Sequence, residues 1–228
     1  MPLRAILFDV GNTLHHLDHA WIAGCVSAHG HRVDAHDVAV AEYRGKAMVD
    51  ARFRAAAAED DASRARSYIA VILDALAVPA AAQAPVTAAL DAENARASLW
   101  RVLQADTAAV LAALRARGLR LAVVSNADGR VAASLARDGL DGYFDAIIDS
   151  HVVGIEKPDP RIFHLALDAT GAAAHEALFV GDIYEIDVRG ARNAGIEPVL
   201  IDPLGLYGEV DCRRIAGLAE LLALVAGR

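Results

Sequence analysis

Short apolar runs in this chain end on polar clusters of a restricted kind, and this arrangement limits the folds open to it. Residues 3–8 lead straight into Asp9-Val10-Gly11-Asn12-Thr13. Residues 121–124 lead into Ser125-Asn126, and residues 177–180 lead into Gly181-Asp182 with Asp187 beyond; Lys157-Pro158 falls between these two. In an open parallel sheet, ligands bind in the crevice beyond the carboxyl ends of the strands. Clusters placed at such ends converge on one point. They would bring together a nucleophile, a hydroxyl, a fixed cation and two carboxylates suited to a metal.

The chain between the clusters supports that reading. Residues 3–9 have the short apolar character of a buried strand, stopped by Gly11-Asn12. From 15 to 103 alanine dominates, and apolar residues recur at helical spacing over 37–53, 62–76 and 85–103, punctuated by Pro79 and Pro85. This predicts an insertion of about four helices. From Asp106 onward helix and strand alternate. Helices are predicted over 106–117, 129–138, 160–169, 184–193 and 215–225, and strands over 119–124, 146–148, 177–180 and 198–201. Gly118 and Gly139 close two of the helices, and Pro160 opens another. Such alternation implies an α/β fold: a parallel sheet with helices on both faces.

Composition narrows the function classes. With 55% hydrophobic residues among 228, a substantial core is expected. A net charge of −8 argues against a sequence-independent nucleic-acid binder, which needs a basic face. Cys25 and Cys212 stand far apart, outside any C-x-x-C pattern, so neither a disulfide framework nor a zinc site is expected. The first apolar run stops at Asp9, unlike a signal peptide. No uncharged apolar stretch approaches the ~18 residues of a membrane span. The expectation is a cytoplasmic protein with no nucleic-acid or membrane partner, as a monomer or homodimer.

Taken in order, these clusters resemble the motifs of the haloacid dehalogenase-like hydrolase superfamily. The first looks like D-x-D-G-T, the second is Val123-Val124-Ser125-Asn126, the third is the lysine of Lys157-Pro158-Asp159-Pro160, and the fourth is G-D-x-x-x-x-D from Gly181 to Asp187. The resemblance implies a Rossmann-like core from 1–14 and 104–228, with a helical cap domain inserted over 15–103. It also implies a hydrolase of small phosphorylated metabolites. Asp9 would attack phosphorus and form an aspartyl-phosphate, splitting one hard step into two. Mg²⁺ would be held by Asp9, Asp182, Asp187 and the main-chain carbonyl of Gly11. Ser125 would bond the phosphoryl oxygens, joined by backbone N–H groups around Val10 and Asn126, and Lys157 would neutralise charge.

One position departs from the pattern. Phosphatases of the superfamily carry a second aspartate two residues after the nucleophile, acting as general acid and then as base. Here that residue is Gly11. Such help is worth ~10² to 10⁴ in rate, roughly 3 to 5 kcal/mol of barrier. Activity is therefore expected to be slow, or limited to good leaving groups such as aryl or acyl phosphates, unless His15, His16 or Asp18 substitutes. Two alternatives follow: a 2-haloacid dehalogenase or phosphonatase-like hydrolase using the same nucleophile, or a non-catalytic fold that binds a phosphate ligand or a protein. In the cap, Glu42-Tyr43-Arg44-Gly45-Lys46 with Arg52 and Arg54 is the most suggestive stretch. Gly45 reads as a loop over the pocket, with Arg44 and Lys46 placed to bind the non-reacting end of an anionic substrate.

Overall fold

The computed structural model describes residues 2–55 and 61–226, without the side chains of 47, 51–55 and 61–67. The chain runs β1 (Ala5–Phe8), β2 (His15–Leu17), α1 (His19–Ala28), α2 (Ala35–Ala55), α3 (Asp61–Ala75), α4 (Ala80–Ala97) and β3 (Trp100–Leu103). It continues α5 (Thr107–Ala116), β4 (Arg120–Ser125), α6 (Val131–Arg137), β5 (Ala146–Asp149), α7 (Ser150–Val153), α8 (Pro160–Thr170), β6 (Ala177–Gly181), α9 (Arg189–Asn193), β7 (Glu197–Ile201), β8 (Arg213–Ile215) and α10 (Ala219–Ala226). Two compact units result. One comprises the residues up to His16, Leu103–Pro203 and the chain from Asp211; the other comprises Leu17–Val102 and Leu204–Val210.

The first unit is built on a six-stranded sheet in the order β5-β4-β1-β6-β7-β8. All its pairings are parallel; Phe8 sits opposite Val123 on one side and Val180 on the other. Alternation of side chains along each strand splits the core into two layers. Ile6, Phe8, Leu121, Val123, Leu178 and Val180 face α5, α6 and α10. Ala5, Leu7, Ala122, Val124, Ala177 and Phe179 face α8 and α9. Burial on both faces explains why these strands read as unbroken apolar runs. Helix α8 carries its own signals: Asp159 accepts the Arg161 N–H, Pro160 sits in the first turn, and Gly171 ends it at φ 64°.

Three predicted elements are corrected by the structure. The segment 184–193 is not one regular helix: Tyr184–Val188 forms a π turn before α9. The predicted helix over 215–225 gives up its start to an edge strand, where Ile215 pairs with Ile201 and α10 begins only at Ala219. Arg213 and Arg214 are exposed there, so the short strand has no apolar alternation to announce it. Residues 100–103 form β3, paired with β2, not the end of a helix.

The second unit holds α1–α4. Gly45 does not form a loop; it lies inside α2, where a Cβ would come 2.6 Å from Val71 Cγ1 of α3. The missing side chain is what lets the two helices approach. Pro85 likewise lies within α4 rather than at its start. Glu42 is buried and accepts from Tyr68 Oη and pairs with His19 Nε2, both at 2.5 Å. Among the described residues, no helix is long and apolar enough to cross a membrane.

Candidate active site

Asp9 follows the last residue of β1, which lies between β4 and β6 at the middle of the sheet. This is the switch point where connections leave toward opposite sides and where the crevice of an open α/β sheet forms. Lys157 comes in from the turn before α8. Its Nζ lies 2.6 Å from Asp9 Oδ1 and 2.7 Å from Asp187 Oδ1, with 2% of its side chain exposed. The peptide bond between Lys157 and Pro158 is cis. The Asn126 side chain fixes the lysine backbone: Oδ1 accepts the Lys157 N–H at 2.8 Å, and Nδ2 donates to the Lys157 carbonyl at 3.0 Å. Ser125 is buried at the end of β4.

The π turn explains how Asp187 arrives. Its Oδ2 accepts the backbone N–H groups of Asp182 and Ile183, at 3.0 and 2.9 Å, folding the side chain back over the end of β6. A Cβ on Gly181 would stand 2.4 Å from Asp187 Cγ, so only glycine leaves room for that carboxylate. Asn12, not anticipated from the sequence, donates from Nδ2 to Asp182 Oδ2 at 3.3 Å. It is 2% exposed and holds φ 53°, a left-handed backbone that asparagine tolerates well. Its place directly after Gly11 in a tight turn was the one available signal.

Oxygens of Asp9, Asp182 and Asp187 lie within 4.8 Å of one another, all three residues buried. Burial pushes Asp9 up, Lys157 pulls it back, and Asp187 and Asp182 push it up again, leaving it at about 7 against an ordinary 3.8. For Lys157, burial works against the ammonium, but Asp187 and Asp9 outweigh it and hold the group above the ordinary lysine range. With all three ionised, three carboxylates face the one ammonium of Lys157 among the described residues of the cluster. That donor set suits a hard divalent cation, which prefers oxygen ligands.

His15 is fully buried, its Nε2 2.9 Å from Asp138 Oδ2 but without the alignment of a hydrogen bond; burial draws it below the ordinary histidine range despite Asp138. His16 is half-buried. Asp18 caps α1 through the Trp21 N–H and pairs with Arg101 at 2.9 Å. In the helical unit Arg44 is exposed on α2, whereas Lys46 is fully buried with its Nζ 4.1 Å from the centre of the Tyr43 ring. The side chains of Arg52 and Arg54 lie outside the described residues.

Comparison with known proteins places this geometry in a family. Residues 3–195 match the model of the haloacid dehalogenase-like hydrolases. Haloacid dehalogenase-like hydrolase domain-containing protein 3 of Bos taurus is 40% identical over 54% of this chain and 48% of its own length. A phosphoserine phosphatase of Thermus thermophilus is 45% identical over 44% of this chain and 41% of its own. The aligned stretches thus span about half, or less, of these relatives. The magnesium-bound HAD-hydrolase YfnB of Bacillus subtilis superposes with a TM-score of 0.68 at 18% identity, covering 99% of this chain and 100% of its own, a likeness of fold. The chain belongs to the haloacid dehalogenase-like hydrolases.

Proposed function

We propose that the protein is a Mg²⁺-dependent phosphatase of small phosphomonoesters that works through an aspartyl-phosphate on Asp9. The observation that carries this reading is the buried cluster itself: Lys157 bridges Asp9 and Asp187, and Asp182 stands beside them. Phosphoryl transfer asks a protein mainly for positioning and charge neutralisation. Asp9 attacks phosphorus, the bond to the leaving oxygen breaks, and water then attacks the phosphoaspartate and frees Asp9. Lys157 holds one Asp9 oxygen and so orients the carboxylate while offsetting its charge. Ser125 and the backbone N–H groups of Val10 and Asn126 receive the phosphoryl oxygens. The Asn126 side chain acts through Lys157, whose backbone it clamps. Asp9, Asp182, Asp187 and the Gly11 carbonyl would hold the cation, with Asn12 steadying Asp182. Bound there, Mg²⁺ supplies positive charge to the phosphoryl oxygens.

The names of relatives support the substrate class, since they include a phosphoserine phosphatase and a glyceraldehyde 3-phosphate phosphatase. Arg44 is an exposed cation of α2 suited to the non-reacting anionic end of a metabolite, and Lys46, buried beside the Tyr43 ring, is less suited to it. The test is hydrolysis of p-nitrophenyl phosphate with and without Mg²⁺ by the wild type and Asp9→Asn. Turnover that needs both Asp9 and Mg²⁺ supports the proposal, and equal turnover by the two proteins refutes it.

A further inference from the structure

Among the described residues of the first unit, the ionisable groups in contact with the Asp9 cluster or near it in sequence already have partners. Residue 11 has no side chain. Both oxygens of Asp187 are engaged, one by Lys157 and one by two backbone N–H groups. The Lys157 ammonium is shared between two carboxylates. Asp182 accepts from Asn12, whose amide has no acid function. Glu185, the other acid of the π turn, is paired with Arg189 at 2.7 Å. His15 is enclosed against Asp138. Each of these groups is fixed to a partner other than a departing oxygen.

We infer that Asp9 takes its phosphoryl group preferentially from acyl phosphates, the mixed anhydrides of a carboxylic acid and phosphate, and keeps it as a long-lived phosphoaspartate. The inference rests on the proposed nucleophilic role of Asp9. In the first step an Asp9 oxygen bonds to phosphorus as the phosphorus–oxygen bond to the donor's carboxyl breaks. The bonding electrons leave on a carboxylate, which needs no proton. An alkyl phosphate would instead release an alkoxide, which does. The exchange also breaks one carboxyl–phosphate bond and makes another of the same kind, so it runs close to balance and the phosphoenzyme accumulates. In the second step water must lose a proton as it attacks phosphorus. The groups just named offer no base for it, so release is the slow step.

The full chain with Mg²⁺ is mixed with acetyl phosphate or glycerol 3-phosphate and quenched in acid, with intact-protein mass and released phosphate both read. Acetyl phosphate is expected to convert most of the wild type, and none of Asp9→Asn, to the singly phosphorylated species. Phosphoenzyme formation from glycerol 3-phosphate should be slower than from acetyl phosphate by ~10² or more, the usual worth of general acid–base help. Comparable rates of phosphoenzyme formation from both donors overturn the inference, because an acid then reaches the site from elsewhere in the chain. So does rapid use of acetyl phosphate without phosphoenzyme. His16→Gln tests the half-buried neighbour: an unchanged phosphoenzyme lifetime agrees with the inference, and a markedly longer one makes His16 the missing base and overturns it. Asp9-dependent hydrolysis of p-nitrophenyl phosphate without phosphoenzyme would remove this inference alone. Loss of every Asp9-dependent reaction would remove the phosphatase reading as well.

Discussion

Removing the charge of Asp9 is expected to stabilise the metal-free protein. In the fold the carboxyl sits at about 7 against an ordinary 3.8, chiefly through burial, with Asp187 and Asp182 adding to the repulsion. Between those values the folded protein binds a proton that the unfolded chain has released. Stability is therefore greatest below the unfolded value and falls as pH rises through the folded one. At about 1.4 kcal/mol for each tenfold change in proton affinity, ionising Asp9 costs about 4 kcal/mol above neutral pH, and about 2 to 3 kcal/mol of that is lost between about pH 5 and about pH 8. Asp9→Asn keeps the shape and an oxygen for Lys157 but has no such loss. The assay is urea unfolding of both proteins in EDTA across that pH window. The stability of Asp9→Asn relative to wild type should climb with pH by that amount. Adding Mg²⁺ at about pH 8 should then raise the wild type more than the variant, because ligand binding to the folded state adds stability by mass action. Parallel pH profiles in EDTA, within about 0.5 kcal/mol, would show that Asp9 does not bear this burden and would refute the electrostatic account; this bound matches the spread of independent surface changes.

Three other perturbations follow from the geometry. Lys157→Ala leaves Asp9 and Asp187 buried without their cation; removing one partner of a buried pair costs about 3 to 5 kcal/mol, readable by urea unfolding at neutral pH, and phosphoryl transfer should be lost as well. Gly181→Ala drives a Cβ to 2.4 Å from Asp187 Cγ, so the carboxylate must leave its two N–H donors; the stabilisation of the wild type by Mg²⁺ in a thermal melt should disappear in this variant. Gly45→Ala overpacks the approach of α2 to α3 at Val71, with a cost of about 1 to 3 kcal/mol; Val71→Ala in the same chain should recover most of it, and a double-mutant cycle showing no coupling would contradict the contact.

What the sequence revealed and what it hid separate along physical lines. Strands β1, β4 and β6 are legible because both their faces are covered, which enforces unbroken apolar runs. Asp9, Lys157, Asp182 and Asp187 are legible because each follows or lies close to such a run, and the sheet brings strand ends together. Features that depend on one local contact were not legible. The edge strand β8 is held by pairing to β7 and carries two exposed arginines, so it has no pattern of its own. The π turn is held by a side chain four and five residues further along the backbone that captures the N–H groups of Ile183 and Asp182, and no propensity encodes that. Asn12 works through a left-handed turn and a partner 170 residues away.

Lys46 shows the same division within a helix. Charge next to a glycine suggested an exposed loop, yet Glu42, Lys46 and Asp50 recur every fourth residue and all three are buried on α2. Spacing of that kind sets side chains one above another on a single helix face. Glu42 is held below the ordinary carboxylate range even though burial pushes it up, because His19, Lys46 and Tyr68 all favour its charged form. Asp50 in turn accepts from the Tyr207 hydroxyl. This polar stripe finds partners inside the helical unit: His19 and Tyr68 for Glu42, the Tyr43 ring for Lys46 and Tyr207 for Asp50. The cluster around Asp9 sets three carboxylates against the Lys157 ammonium, a donor set that suits a divalent cation.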